Sequence, residues 1–241
     1  MKIGIIAEGT DDQKVITNIL HGAVGIDGGD VIYIRPDLSV DETTKSFMNE
    51  KTAGGWPNVR KDCRERDKLE KFFLIEGQEA IVIHLDSAEA EQYEVARPQK
   101  EKNNLEDYTI FVRNSIIEKV NEWLNDEYAD NLIYAIAIEE TEAWLLTIFE
   151  EKESTVHLNP KKKLEYLNEG GRIEAVANTH QIRRTKHLKG KRGKKQHQKS
   201  SDLDYKVLSI PFRDQRNLTE CSAKNHSLRL FCESLSDLKD R

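Results

Sequence analysis

The chain has 241 residues, 33% of them charged and 37% hydrophobic, with 43 Asp and Glu against 37 Lys and Arg for a net charge of −6. That length suits one domain with an appendage or two small domains. No apolar run reaches the roughly 18 residues that span a bilayer, and the first acid, Glu8, arrives too early for a signal peptide. Three scattered cysteines, Cys63, Cys221 and Cys232, form no C-x-x-C pair and supply neither a disulfide framework nor a zinc knuckle. A soluble, cytoplasmic protein with no membrane partner is the expectation.

In chain order, residues 2–7 (KIGIIA) are an apolar run ending at Glu8-Gly9, which reads as a buried strand and a turn. Thr10-Asp11-Asp12 opens a helix with Val15, Ile16, Ile19 and Leu20 at helical spacing and acids in the first turn, where they complement the helix dipole. Residues 31–34 (VIYI) are a second strand closed by Arg35-Pro36, and Gly54-Gly55-Trp56-Pro57 leads into a charged helix over 58–76. A third strand at 80–85 ends at Asp86. A long helix over 104–127 follows, with Ile110, Ile116, Ile117, Val120 and Leu124 facing inward. A fourth strand spans 132–138, and Glu140 to Glu150 read as a helix.

Apolar strands alternating with helices signal an open, mainly parallel sheet covered on both faces, an α/β fold of Rossmann-like type over residues 1–150. Residues 151–241 read as a C-terminal, mostly helical region, with short helices at 160–169 and 171–178, a strand at 205–210 and a last helix over 216–236. Within it lies a basic segment, 183–199, holding nine Lys or Arg and no acid: Arg183, Arg184, Lys186, Lys189, Lys191, Arg192, Lys194, Lys195 and Lys199. So dense a block of like charge repels itself and does not pack, which makes it an arm or loop. On an otherwise acidic chain, its expected partner is the phosphate backbone of a nucleic acid, the alternative being a solvated charge run that binds nothing.

Ligands of open parallel sheets bind outside the carboxyl ends of the strands. Glu8, Asp86 and Glu139-Glu140 stand at three such ends, with Asp12, Glu89 and Glu142 close by. Carboxylates gathered at one rim repel one another unless a cation joins them, and hard oxygen donors select Mg2+ or Mn2+ over zinc. Asp11, and Glu140 as a first-turn acid, are more simply dipole partners. His84 reads as a core histidine on the same side of its strand as Asp86. The spacings of His180, His187 and His197 match no zinc pattern. Trp123 and Trp144 lie on apolar helix faces, and Trp56 is a loop anchor or a base-stacking residue. There is no phosphate-binding G-x-x-x-x-G-K-[S/T] and no recognisable nucleophilic triad.

Glu8-Gly9-Thr10-Asp11-Asp12 after an apolar strand resembles the glutamate motif of Toprim domains, particularly that of nucleases of the overcoming-lysogenisation-defect type. His84-Leu85-Asp86 is similar to the Toprim aspartate motif. Glu140-Thr141-Glu142-Ala143-Trp144-Leu145 resembles the E-x-E-A-W-L signature of a bacterial Toprim-like family often encoded beside ATPases in phage-defence loci. The resemblance covers residues 1–150, and extends weakly over the tail through Asp204-Tyr205-Lys206 and the last helix. It implies a metal-dependent endonuclease acting on DNA or RNA in anti-phage defence. Glu8 would be a ligand or general acid and base, Asp86 the first aspartate of D-x-D, Asp12 a second-metal ligand, and Glu139 or Glu142 a third carboxylate. It also admits an ATPase partner of the ABC or AAA type; self-association is left open. One departure stands out: D-x-D reads Asp86-Ser87-Ala88 here, so the second aspartate is missing and Glu89 lies one position too far. The alternative is therefore a degenerate Toprim-like module that binds nucleic acid or an ATPase without cutting. A phosphoacceptor receiver is disfavoured, because Glu139-Glu140 occupies the strand end where a lysine is needed.

Overall fold

The computed structural model describes residues 1–37, 55–98, 104–149, 159–169 and 204–238. Four strands, β1 (Lys2–Ile6), β2 (Val31–Arg35), β3 (Gln78–Asp86) and β4 (Leu132–Ala137), form one sheet in the order β2-β1-β3-β4, every neighbouring pair parallel. The expected α/β sheet is thus present. Its chain reverses direction of travel between β1 and β3, so the first and third strands lie side by side. Gly4 pairs with Ile81 and Ile6 with Ile83; across the next seam, Asp86 aligns with Ala137.

The apolar runs divide by parity onto the two faces, as a pleated strand requires. Ile3, Ile5, Ala80, Val82, Ile133 and Ala135 pack on one side, and Ile6, Ile81, Ile83, Leu85 and Ile136 on the other. The second side is covered by α2 (Trp56–Glu65), α3 (Asp67–Phe73) and α4 (Leu105–Leu124). The first is covered by α1 (Thr10–Val24), the single turn α5 (Glu142–Leu145) and α6 (Pro160–Glu169), together with the C-terminal helices. These are α7 (Tyr205–Leu208), α8 (Gln215–Ser222) and α9 (His226–Ser234). The C-terminal helices share their core with α1 and the sheet: Phe212, Leu228 and Phe231 are wholly buried in the cluster that holds Ile16, Ile19 and Trp144. Gly22 permits this, because a Cβ there would stand 1.9 Å from the carbonyl oxygen of Phe212. Asn18 adds polar ties, its amide donating to Lys206 O at 3.1 Å and Ser209 Oγ at 2.7 Å.

Several local expectations change. The 58–76 helix is two helices, since Arg66 takes the left-handed conformation (φ 61°) between α2 and α3. The expected strand at 205–210 is helical: Asp204 caps Lys206 N and Val207 N, starting α7, and a 3-10 turn at Ile210–Arg213 with Pro211 in it follows. The last helix is split by Asn225, whose side chain accepts from Leu228 N at 3.0 Å and starts α9 afresh. The Glu140–Glu150 helix shrinks to α5 plus a 3-10 turn at Leu146–Ile148. Ile110 does not face inward; it is 39% exposed beside Phe111 at 48%, because Tyr108, Val112, Ile116, Val120 and Trp123 set the buried face of α4. The helix expected at 171–178 and the basic segment 183–199 lie outside the described residues. No helix among the described residues is long and apolar enough to cross a membrane.

Candidate functional site

Pairing β1 with β3 places their carboxyl ends side by side, and with them two acids 78 residues apart in sequence. The backbone N–H of Asp86 donates to Glu8 Oε1 at 2.6 Å. Asp86 in turn accepts the N–H of Ala88 on Oδ1 at 2.9 Å, an Asx-type turn that ends the strand. This is the strand-reversal position at which open α/β sheets bind ligands.

Both strand ends are tied down by the start of α2. Gly55 N donates to the carbonyl of Glu8 at 2.9 Å, and Trp56 Nε1 donates to the carbonyl of Asp86 at 3.0 Å. Trp56 is wholly buried, stacked on Tyr93 with ring centroids 4.7 Å apart and edge-on to Trp123. It is therefore an anchor of the site and has no face to offer a base. Trp123 and Trp144 are buried as expected.

The proton affinity of Glu8 is raised to about 9, first by burial and then by the charge of Asp86, with the Asp86 N–H bond opposing and Asp12 and Glu89 adding to the rise. Burial likewise pushes Asp86 up to about 7, against the Ala88 N–H and reinforced by Asp12, Glu140 and Glu142. The two acids titrate as a pair, and near neutral pH the pair retains a proton. Glu142 is also raised, first by burial, with the Tyr205 hydroxyl bond at 2.5 Å opposing and Glu140 and Asp12 adding.

The other candidates take distinct positions. Asp12, in the first turn of α1, accepts the hydroxyl of Thr141 on Oδ1 at 2.7 Å. Glu139 has a left-handed backbone (φ 73°), and its carboxylate accepts from Arg97 at 3.2 Å, while its N–H donates to Ser87 Oγ at 2.8 Å. Glu89 is exposed, leading into the 3-10 turn at Ala90–Tyr93. Asp11 pairs with Lys14, and Glu140 accepts the N–H of Lys161 at 3.2 Å, as acids with local structural partners. His84 is fully buried within β3, and burial holds its ring below the usual histidine range. Sequence reasoning passed over Thr141, although it sits between two acids it had singled out. It also passed over Tyr205 as a partner of Glu142, for which the sequence carries no local signal.

The donor set at Glu8 and Asp86 fits a hard divalent cation: it is all oxygen, and the charges that most strongly perturb both groups are acidic. Among the described residues, no three His, Cys, Asp or Glu side chains form a ready-made metal cage. Mg2+ is commonly held by one or two carboxylates, the remainder of its shell being water and substrate phosphate oxygens, and a two-carboxylate rim is compatible with that mode. Compared with protein-family models, with curated proteins and with solved structures, the chain matches none.

Proposed function

We propose that this protein is a Toprim-like, Mg2+- or Mn2+-dependent nuclease that hydrolyses phosphodiester bonds at the Glu8–Asp86 rim. The observation that carries the reading is the placement of these two acids at the strand-reversal point, the Asp86 backbone N–H donating to the Glu8 carboxylate, with both proton affinities raised well above the ordinary carboxylate range. A divalent cation held by Glu8 and Asp86 would neutralise charge building on the phosphoryl oxygens and favour ionisation of the attacking water. In the alternative arrangement Glu8 is not a ligand and serves instead as the general base, a role suited to a carboxyl whose proton affinity burial has raised. Trp56 and Gly55 keep the two strand ends in register, so the acids stay at contact distance.

The nucleic-acid assignment draws on the covalent path of the chain. The basic segment 183–199 lies between α6 and α7. Both flanking elements are joined to the acidic rim, α6 through the Lys161 N–H on Glu140 and α7 through the Tyr205 hydroxyl on Glu142. Its Lys and Arg would hold the phosphate backbone without reading sequence. The setting in phage defence beside an ATPase follows from the resemblance.

The test is incubation of plasmid, single-stranded DNA and bulk tRNA with the protein in Mg2+, Mn2+ or EDTA, alongside Glu8→Ala and Asp86→Ala. Metal-dependent cleavage lost in both variants supports the nuclease and identifies its substrate; cleavage that survives both removes the site. The second reading, a degenerate binding module, is favoured by one observation. Ala88 stands where a second aspartate would be, and Glu89 is turned out to solvent. Its mark is salt-sensitive binding that vanishes when the basic segment is neutralised, without cleavage in any metal.

A further inference from the structure

A cavity of about 480 Å3 lies at the amino end of β4, at the opposite end of the sheet from the Glu8–Asp86 rim. β4 is an edge strand, and α4 and α9 pack on it from the two faces and on each other. The walls include Leu132 and Tyr134 of β4, Asp130 from the turn before it, Ser234 at the end of α9, Leu238, and Arg113 of α4. The volume falls within the roughly 300–1,000 Å3 of small-molecule sites.

Arg113 is a cation in this wall without a counter-ion in contact. Its Nε is closed off from water and has no hydrogen-bond partner. Burial lowers its proton affinity, and Glu233, the acid whose charge reaches it, opposes only in part. Glu233 lies instead against Arg229, 3.7 Å from its Nε. A guanidinium does not give up its proton inside a protein. A half-buried charge of this kind is costly unless an anion pairs with it.

The hydroxyl donors beside it are spent. Tyr134 donates its one proton to Asn121 Oδ1 at 2.5 Å, and Ser234 donates its own to the carbonyl of Phe231 at 2.7 Å. Recognition of an anion here therefore falls to the guanidinium. Asp130 in the same wall selects against a highly charged ligand, because a phosphate dianion would add surplus charge near a carboxylate with one cation to offset both. A carboxylate brings a single charge in a plane that a guanidinium fork can hold with two parallel bonds. Leu132 and Leu238 suit an apolar body attached to it.

We propose that this cavity binds a small organic monocarboxylate, with Arg113 holding the carboxylate. The site is separate from the acidic rim and does not depend on the nuclease reading.

The experiment titrates the full chain with benzoate and hexanoate, and separately with inorganic phosphate, at constant ionic strength set by chloride. It follows 15N–1H spectra of wild type and Arg113→Gln, whose missing Nε–H signal assigns that of Arg113, with thermal unfolding of both. Expected is saturable binding of a carboxylate that shifts the Arg113 Nε–H signal, weakened about 10-fold or more in Arg113→Gln, where charge-assisted hydrogen bonds are lost. Equal carboxylate affinity in the two proteins overturns the proposal. So does a wild type that binds neither carboxylate saturably, or that binds phosphate more tightly than either. Should Arg113→Gln fail to fold, the Nε–H signals of the wild type decide: a saturable shift with carboxylate that chloride does not reproduce supports the site, and signals that stay unmoved overturn it.

Discussion

Replacing Glu8 by glutamine is expected to stabilise the metal-free protein and, under the proposed nuclease reading, to abolish cleavage. A carboxyl whose proton affinity is raised on folding makes the folded state bind more protons than the unfolded chain. Its stabilising contribution is then complete below the unfolded value of 4.5 and declines as pH rises towards about 9. At neutral pH the unfolded chain has released a proton that the folded pair retains. The gap of roughly 2.5 units corresponds to about 3 kcal/mol against folding, at about 1.4 kcal/mol per unit. The proton is shared with Asp86 and the rim is not sealed from water, which reduces the usable figure to about 1–2 kcal/mol. Glutamine keeps an oxygen to accept the Asp86 N–H but carries no charge, so Glu8→Gln should recover that amount. For a chain of this size the melting temperature would rise by roughly 3–6 °C. The assay is thermal and urea unfolding of both proteins in EDTA, at neutral pH and at about pH 4, where the unfolded glutamate is itself largely protonated and the gain should vanish. A variant no more stable than wild type at neutral pH, or one whose advantage persists unchanged in acid, would refute the reasoning.

Three further outcomes follow from the same structure. Added Mg2+ or Mn2+ should raise the melting temperature of wild type at neutral pH and leave that of a Glu8→Gln/Asp86→Asn double variant unmoved; EDTA should reverse the effect. Gly22→Ala should cost at least about 2 kcal/mol, because the new Cβ meets backbone rather than a yielding side chain at Phe212; urea unfolding reads the loss. Tyr205→Phe should cost about 1–2 kcal/mol at neutral pH, and less in acid. The lost hydroxyl bond to Glu142 opposes the burial-driven rise in that carboxyl's proton affinity, so its removal raises that affinity further; urea titrations at the two pH values check it.

Each strand was legible in the sequence because a strand buried on both faces is a short apolar run, and no other local feature imitates KIGII or AIVIHL followed by an acid. The acids at their ends, Glu8 and Asp86, were legible for the same reason. Helix phase was less so: Ile110 and Phe111 are apolar yet exposed, since the stripe through Val112, Ile116 and Val120 already fills the contact with the sheet. The region around 205–210 reads as β from its Tyr, Val, Leu and Ile, but the cap at Asp204 decides for helix, and a cap overrides weak side-chain preference.

What the sequence by itself determined is therefore an α/β chain with carboxylates at strand ends and one concentrated basic segment. Strand order was beyond it, because an apolar run satisfied on both faces carries no record of which strand lies beside it. Only the crossover of β3 to the far side of β1 brings Glu8 against Asp86. The link from His84 through Thr141 to Asp12 has the same origin, as does the seating of α7–α9 on α1 across Gly22. These contacts join residues far apart in sequence, and they exist because close packing of buried surfaces selects one arrangement in which the trapped polar groups also find partners.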